Sequence, residues 1–221
     1  MLDVPFEDVI LRVIAKDLSY EEIRAAGMDV LERIHSYGAR NTTFARSKRP
    51  IELPAEAPAI ARRMAEAGTV AGVGPMYSFR GALVEFVGRA IAEKGRKDVS
   101  VSCPGIWFVL SRKPVKLAVR SGKGIETLSV LVKPDLGPHG VYSSLGREVE
   151  RVLPGHDDGV VVVANSSTLA VAAATAARAI LTRRESIGDA LAYLQGLPGL
   201  FGAMLVRGDQ IGLAGGIELA A

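Results

Sequence analysis

The stretch AGVGPMYSFRGALVEFVGRAIAEKG, residues 71–95, constrains the fold more than any other part of the chain. Gly74, Ser78, Gly81, Glu85, Gly88, Ala92 and Gly95 recur at alternating steps of four and three. That spacing puts them on one face of a helix, a stripe of nearly bare backbone holding a single carboxylate. Glycine inside a helix costs roughly 0.5–1 kcal/mol relative to alanine, so such a stripe needs a reason. Close packing against a second helix is the first reading, and approach of a ligand to the backbone is the second.

A matching helix is available. In SSTLAVAAATAARAIL, Thr168, Ala172, Thr175 and Ala179 again set small side chains along one face. The expectation is that the two helices lie close around Thr175, with Glu85 near the mouth of the cleft they share. A carboxylate in such a place needs a partner or water to offset its desolvation. Arg89, one turn on, is a candidate surface partner.

The rest of the chain reads as blocks of helices and hairpins. DVILRVIAKD alternates as a strand, and Ser19 with Glu22 forms a capping box for a helix running to Gly38. Residues 39–53 read as a loop or edge strand, and a second helix spans Pro54 to Gly68. After Gly95 come two strands folded about Pro104 and Gly105, then two more about Gly122 to Gly124. GVVVV is a short strand apolar enough to be covered on both faces. Helices follow from about Ser167 to Arg184 and from Ser186 to Gln195, and a closing hairpin turns at Gly208 and Asp209. This order predicts an α+β fold, a single domain over residues 1–221 with two similar halves.

Composition removes several function classes. At 48% hydrophobic the chain can bury a substantial core, and its 27 basic and 24 acidic residues are well mixed, so the pI near 9.1 describes no basic face for nucleic acid. Aromatics at 5% provide no series of stacking platforms. The lone Cys103 excludes an intrachain disulfide and a thiolate zinc cage. The N-terminus has neither a basic nor an apolar export region, and the uncharged run Gly159 to Ala177 is broken by Asn165, Ser166, Ser167 and Thr168. A cytoplasmic protein without a membrane span is expected. SGKG and GVGP are glycine turns without a P-loop, and no dinucleotide fingerprint opens a helix. His35 and His139 stand far apart, Cys103 sits beside proline in an apolar hairpin, and His156 with Asp157 and Asp158 reads as a solvated turn.

PIELPAEAPAIARRMAEAGTVAGVGPMYSFRGALVEFVGRAI, GVVVVANSSTLAVAAATAARAI and GAMLVRGDQIGLAGGIELA, in that order, resemble the uncharacterised protein family related to the flavin transferase ApbE. The resemblance runs from about Pro50 to the end of the chain. It implies an ApbE-like, T-fold-type architecture of two intertwined β-and-helix repeats. In the ApbE enzymes it further implies a cleft holding FAD and magnesium, from which FMN passes to a threonine of a target protein. A hard cation there wants several oxygen ligands.

This chain departs from the pattern where those oxygens belong. The resemblance implies Asn-Gly-Gly-Asp at Cys103-Pro104-Gly105-Ile106, and an aspartate that ligates metal where Val171 stands. The Thr-Ser-Ser-Gly turn becomes Ser143-Ser144-Leu145-Gly146, and the histidine that often follows it aligns with Glu150. Neither valine nor isoleucine can coordinate, so no metal site and no magnesium-dependent flavin transfer are expected. The hydroxyls of the turn can still hold an anion.

Two functions stay open. One is a small-molecule binding protein or divergent enzyme with Gly74, Met76, Tyr77, Glu85, Ser143, Ser144 and Thr175 around a phosphorylated or flavin-like ligand, FAD or FMN being the natural guess by resemblance. The other is a non-catalytic oligomeric scaffold or accessory subunit, its cleft filled by Tyr77, Phe79 and Ile106. The resemblance ties that second role to sulfur assimilation. A homodimer is expected in either case, the small-residue helix face being a ready surface for it.

Overall fold

The computed structural model describes residues 1–119, 128–132, 137–145, 159–182, 186–208 and 210–220. An eight-stranded antiparallel sheet runs in the order β1 (Leu2–Phe6), β2 (Val9–Ala15), β3 (Val99–Cys103), β4 (Ile106–Leu110), β7 (His139–Ser143), β8 (Gly159–Ala164), β9 (Leu200–Arg207) and β10 (Gln210–Gly215). Helices α1 (Tyr20–Arg40), α2 (Thr42–Arg46), α3 (Ala59–Ala71) and α4 (Phe79–Glu93) come between β2 and β3. Helices α5 (Ser167–Thr182) and α6 (Ile187–Gln195) come between β8 and β9. Each half is thus a hairpin, a helical segment and a hairpin, and the halves join where β4 pairs with β7. The α+β class and the two β-and-helix repeats read from the sequence are both present.

Alternation explains the layers. In β2, Val9, Leu11 and Val13 point to the helices while Ile10, Arg12 and Ile14 point to solvent. Strand β8 is buried on both faces, as its unbroken apolar run requires. Val160 and Val162 pack with α5 and α6, whereas Val161 and Val163 join Met204 and Leu117 on the opposite face. A three-stranded sheet of β5 (Val115–Val119), β6 (Leu128–Val132) and β11 (Glu218–Ala220) accompanies that side.

Several boundaries differ from the sequence reading. Residues 2–6 form a strand of their own, because Glu7 takes a positive φ of 47° and folds β1 back onto β2. Phe6 then lies where a side chain at Gly27 of α1 would be, which brings α1 down onto the sheet. The expected loop over 39–53 contains α2, whose Phe44 is buried against Tyr37. Helix α3 starts after Pro58 and runs through Gly68 to Gly72, whose φ of 67° ends it. Gly68 is needed inside the helix because a Cβ there would stand 2.6 Å from the Val73 carbonyl oxygen.

The opening stripe is divided among three neighbours. Gly74 precedes a 3-10 turn (Pro75–Ser78) and presses against the Ser47 backbone, outside α4. Gly81 faces the start of α5, and Gly88 receives the Phe108 ring of β4. The bare face is consumed within the chain, so it is not the dimer surface that the sequence suggested. The Gly122 to Gly124 turn, Arg184, Asp209, Gly146, Glu150 and the His156 to Asp158 segment lie outside the described residues.

Candidate functional site

The two central helices meet at the first turn of α5. A Cβ on Gly81 would stand 2.5 Å from the Ser167 carbonyl oxygen and 2.9 Å from a Val171 methyl. From the other side Gly140 of β7 leaves room for the backbone of Ser166 and Ser167. The contact therefore lies one to two turns earlier on α5 than the expected position around Thr175. The Ser167 hydroxyl donates to the Trp107 carbonyl at 2.9 Å, fixing this turn to β4.

Glu85 is drawn into that junction. Only 1% of its side chain is exposed. Its Oε2 accepts from the Thr168 amide at 3.1 Å and the Thr168 hydroxyl at 2.7 Å. The Ser166 hydroxyl accepts from the Leu169 amide at 3.2 Å, so a carboxylate and a serine together cap the exposed donors of α5, where the helix dipole favours negative charge. The other oxygen, Oε1, accepts from Arg89 Nε at 3.0 Å and lies 3.5 Å from Arg63 Nε. The i,i+4 partner Arg89 was legible in the sequence. Arg63 and Thr168 were not, because no local spacing connects them to position 85.

The remaining expected residues fall into two groups. Met76 and Tyr77 belong to the 3-10 turn, which packs against α5; Met76 is half-buried against the first core cluster and Tyr77 is 44% exposed. Thr175, half-buried on α5, donates its hydroxyl to the Val171 carbonyl at 2.8 Å. Ser143 and Ser144 lie at the end of β7. The Ser143 amide donates to Gly105 O, and its hydroxyl both donates to Leu145 O and accepts from Leu145 N. The Ser144 hydroxyl accepts from Val160 N at 2.8 Å. The serine hydroxyls are thus engaged in shaping their own turn.

Positions 106 and 171 are both hydrocarbon and both buried, at 4% and 6% exposure, within one core cluster. Met76, Phe79 and Tyr142 pack against that cluster. A hard dication has no side-chain oxygen to bind at either position, and no group of three or more His, Cys, Asp or Glu is placed to hold a metal among the described residues. A magnesium-bound flavin does not fit the donor set that these residues offer.

Cys103 is buried within this cluster, and burial pushes its thiol up to about 12. At neutral pH it is a thiol, not the nucleophilic thiolate. Native protein is expected to resist a thiol-specific chromogenic reagent and to react fully once denatured; rapid labelling before unfolding would contradict that. His139 is buried, with Nδ1 2.7 Å from the Gly137 carbonyl and its ring 5.1 Å from Phe201.

A family model described as "AbpE bacteria" matches residues 3–190. The chain belongs to that family. Among curated relatives, the UPF0280 protein of Methanocaldococcus jannaschii is 32% identical over 204 residues, covering 89% of this chain and 81% of the relative. A UPF0280 protein of Methanosarcina barkeri is 26% identical over 212 residues, covering 95% and 84%. Among solved structures, the flavin transferase ApbE from Vibrio cholerae superposes with a TM-score of 0.62 at 9% identity, covering 96% of each chain. The ApbE protein of Thermotoga maritima gives 0.61 at 11% identity, again covering 96% of each. At such identities the structures establish a common ApbE-like fold. The resemblance read from the sequence is therefore correct at the level of family and architecture. No described helix of this ApbE-related chain is long and apolar enough to cross a membrane.

Proposed function

We propose that this protein is a binding member of the ApbE-related family, taking a small phosphorylated or flavin-like ligand beside the α4–α5 contact without magnesium-dependent flavin transfer. The observation that carries the reading is the burial of Ile106 and Val171 in one hydrocarbon cluster. Replacing oxygen donors with methyl groups removes both coordination and negative charge from a hard-cation site. The exposed Tyr77, the half-buried Met76 and Thr175 offer the contact surface. Gly74, Glu85, Ser143 and Ser144 shape the walls through their backbone and hydrogen bonds. This reading has the protein acting in the cytoplasm as a homodimer.

A thermal titration tests it. FMN or FAD without metal should raise the melting temperature saturably; at one hundred times the dissociation constant the gain is about 2.7 kcal/mol, or roughly 5–10 °C for a chain of this size. Magnesium should add nothing. A magnesium-dependent increment, or FMN appearing on a threonine of an added target, would overturn the proposal.

A second reading is a non-catalytic scaffold or accessory subunit, for which the expected filling of the cleft would rest on Phe79 and Ile106 but not on Tyr77, which is exposed. Met76, Phe79 and Tyr142 already cover the Ile106–Val171 cluster. Exposed Ile211 and Leu213 on edge strand β10 suit self-association. Absence of any flavin shift, together with a stable oligomer, selects this reading over the first.

A further inference from the structure

On the outer side of Glu85 lies a pocket of about 320 Å³ whose polar lining is Arg62, Arg63, Glu66, Glu85 and Arg89, with Phe86 in its wall. Three guanidinium groups meet there with two carboxylates. Glu85 is the stronger neutralising group, but its Oε2 is occupied by both Thr168 donors, so only Oε1 faces the arginines. Arg89 takes that oxygen with Nε and Nη2, both at 3.0 Å, and Arg63 approaches it at 3.5 Å. Glu66 is 3.8 Å from Arg63 and widely exposed, where a salt bridge is weak. Arg62 spends its Nε on the Ala57 carbonyl at 3.1 Å. No other hydrogen bond joins these three guanidinium groups to a described residue, and all three arginines line the same hollow.

We infer that this pocket binds a small organic oxyanion, a phosphate monoester or carboxylate, with Arg62, Arg63 and Arg89 as its ligands. A planar guanidinium presents paired N–H donors that match the spacing of phosphate or carboxylate oxygens. The buried Glu85 holds two of the forks in place from behind, so less side-chain freedom is lost when the anion arrives. The organic part has its own wall. A second hollow of about 450 Å³ shares Arg62 and Glu66 with the pocket and is otherwise lined by Ile51, Leu53, Ala65 and Val70, with Glu52 and Thr69 as its polar members. The pocket shares Glu85 with the flavin reading but takes only its arginine side, on α3 and α4, and uses neither Tyr77 nor Thr175.

Isothermal titration of the purified chain with phenyl phosphate at low ionic strength tests the assignment. Saturable binding is expected, weakening as salt is added. Phenol, which keeps the ring and loses the charge, should not bind detectably. Arg62→Gln should lower affinity about tenfold while lowering the melting temperature by only about 2–4 °C, because Arg62 gives up a single part-buried bond to Ala57 and does not contact Glu85. Arg80→Gln, altering an exposed arginine paired with Asp8, should bind as the parent does. Absence of saturable phenyl phosphate binding, equal binding of phenol, or full affinity in Arg62→Gln would each overturn the inference. Since none of these measurements involves flavin or magnesium, failure here leaves the FMN and FAD titrations to be judged on their own.

Discussion

Replacing Gly81 by leucine should lower the melting temperature by on the order of 10 °C. The added side chain has nowhere to go. Even its Cβ would stand 2.5 Å from the Ser167 carbonyl oxygen, and that backbone cannot retreat, being held by the Ser167–Trp107 hydrogen bond and pressed from behind by β7 at Gly140. Overpacking of a well-filled core typically costs about 1–3 kcal/mol and more where backbone must move. At roughly 2–4 °C per kcal/mol for a chain of this length, about 3 kcal/mol or more gives the stated shift. Gly72→Ala provides the comparison: no atom lies within 4 Å of its Cβ, and only the φ of 67° opposes it, a cost of about 1–2 kcal/mol. Calorimetry showing Gly81→Leu melting within about 2 °C of the parent would refute the close contact of α4 and α5.

Glu85→Ala is expected to remove about 2–4 kcal/mol, mainly because the Thr168 amide and hydroxyl lose their acceptor inside the protein. The arginines lose less. Arg63 and Arg89 are 33% and 42% exposed and can turn to water, so the full penalty of a broken buried pair does not apply. Glu85→Gln keeps an acceptor for Thr168 but offers its amide protons to two guanidinium groups, and should recover about half of the loss. Arg33→Ala, which breaks the exposed Asp29–Arg33 pair on α1, should cost no more than about 0.5 kcal/mol. Urea denaturation of the three variants measures these differences directly; a Glu85→Ala protein as stable as the parent would show that the carboxylate does not cap α5.

The two predictions have different functional consequences. Gly81 determines how near the start of α5 approaches α4. Glu85 ties the same helices together while setting the orientation of Arg63 and Arg89 at the outer pocket. If both proposals hold, a variant that loosened the first contact would disturb the proposed flavin-like ligand before the proposed oxyanion among the arginines. A variant at Glu85 would act in the reverse order.

Residues close in sequence fixed much of what could be read in advance. Periodicity in 79–93 and 167–182 identified the central helices, unbroken valine identified the doubly covered strand β8, and Ser19 capped α1 by accepting from the Glu22 amide, although the Glu22 carboxylate pairs with Arg96 and Lys94 instead of closing the expected capping box. Family membership and the α+β repeat followed from motifs and element order. The methyl groups at positions 106 and 171 were likewise visible without a structure. Each of these depends on local backbone preference or on side-chain chemistry that no fold can alter.

Tertiary structure alone decided the rest, because contacts across long separations have no signature along the chain. The glycine stripe looked like one surface and is three: Ser47, Ser167 and Phe108 each approach a different glycine. Glu85 carried the right signal of a carboxylate in need of a partner, yet Thr168 and Arg63 could be matched to it only after α3, α4 and α5 had packed. The serines of the β7 turn show the limit from the other side, since hydroxyls suited to an anion are already hydrogen-bonded to Leu145 and Val160. A sequence states which groups can bond; only packing determines which of them have done so, because each buried donor takes the acceptor that folding brings within reach.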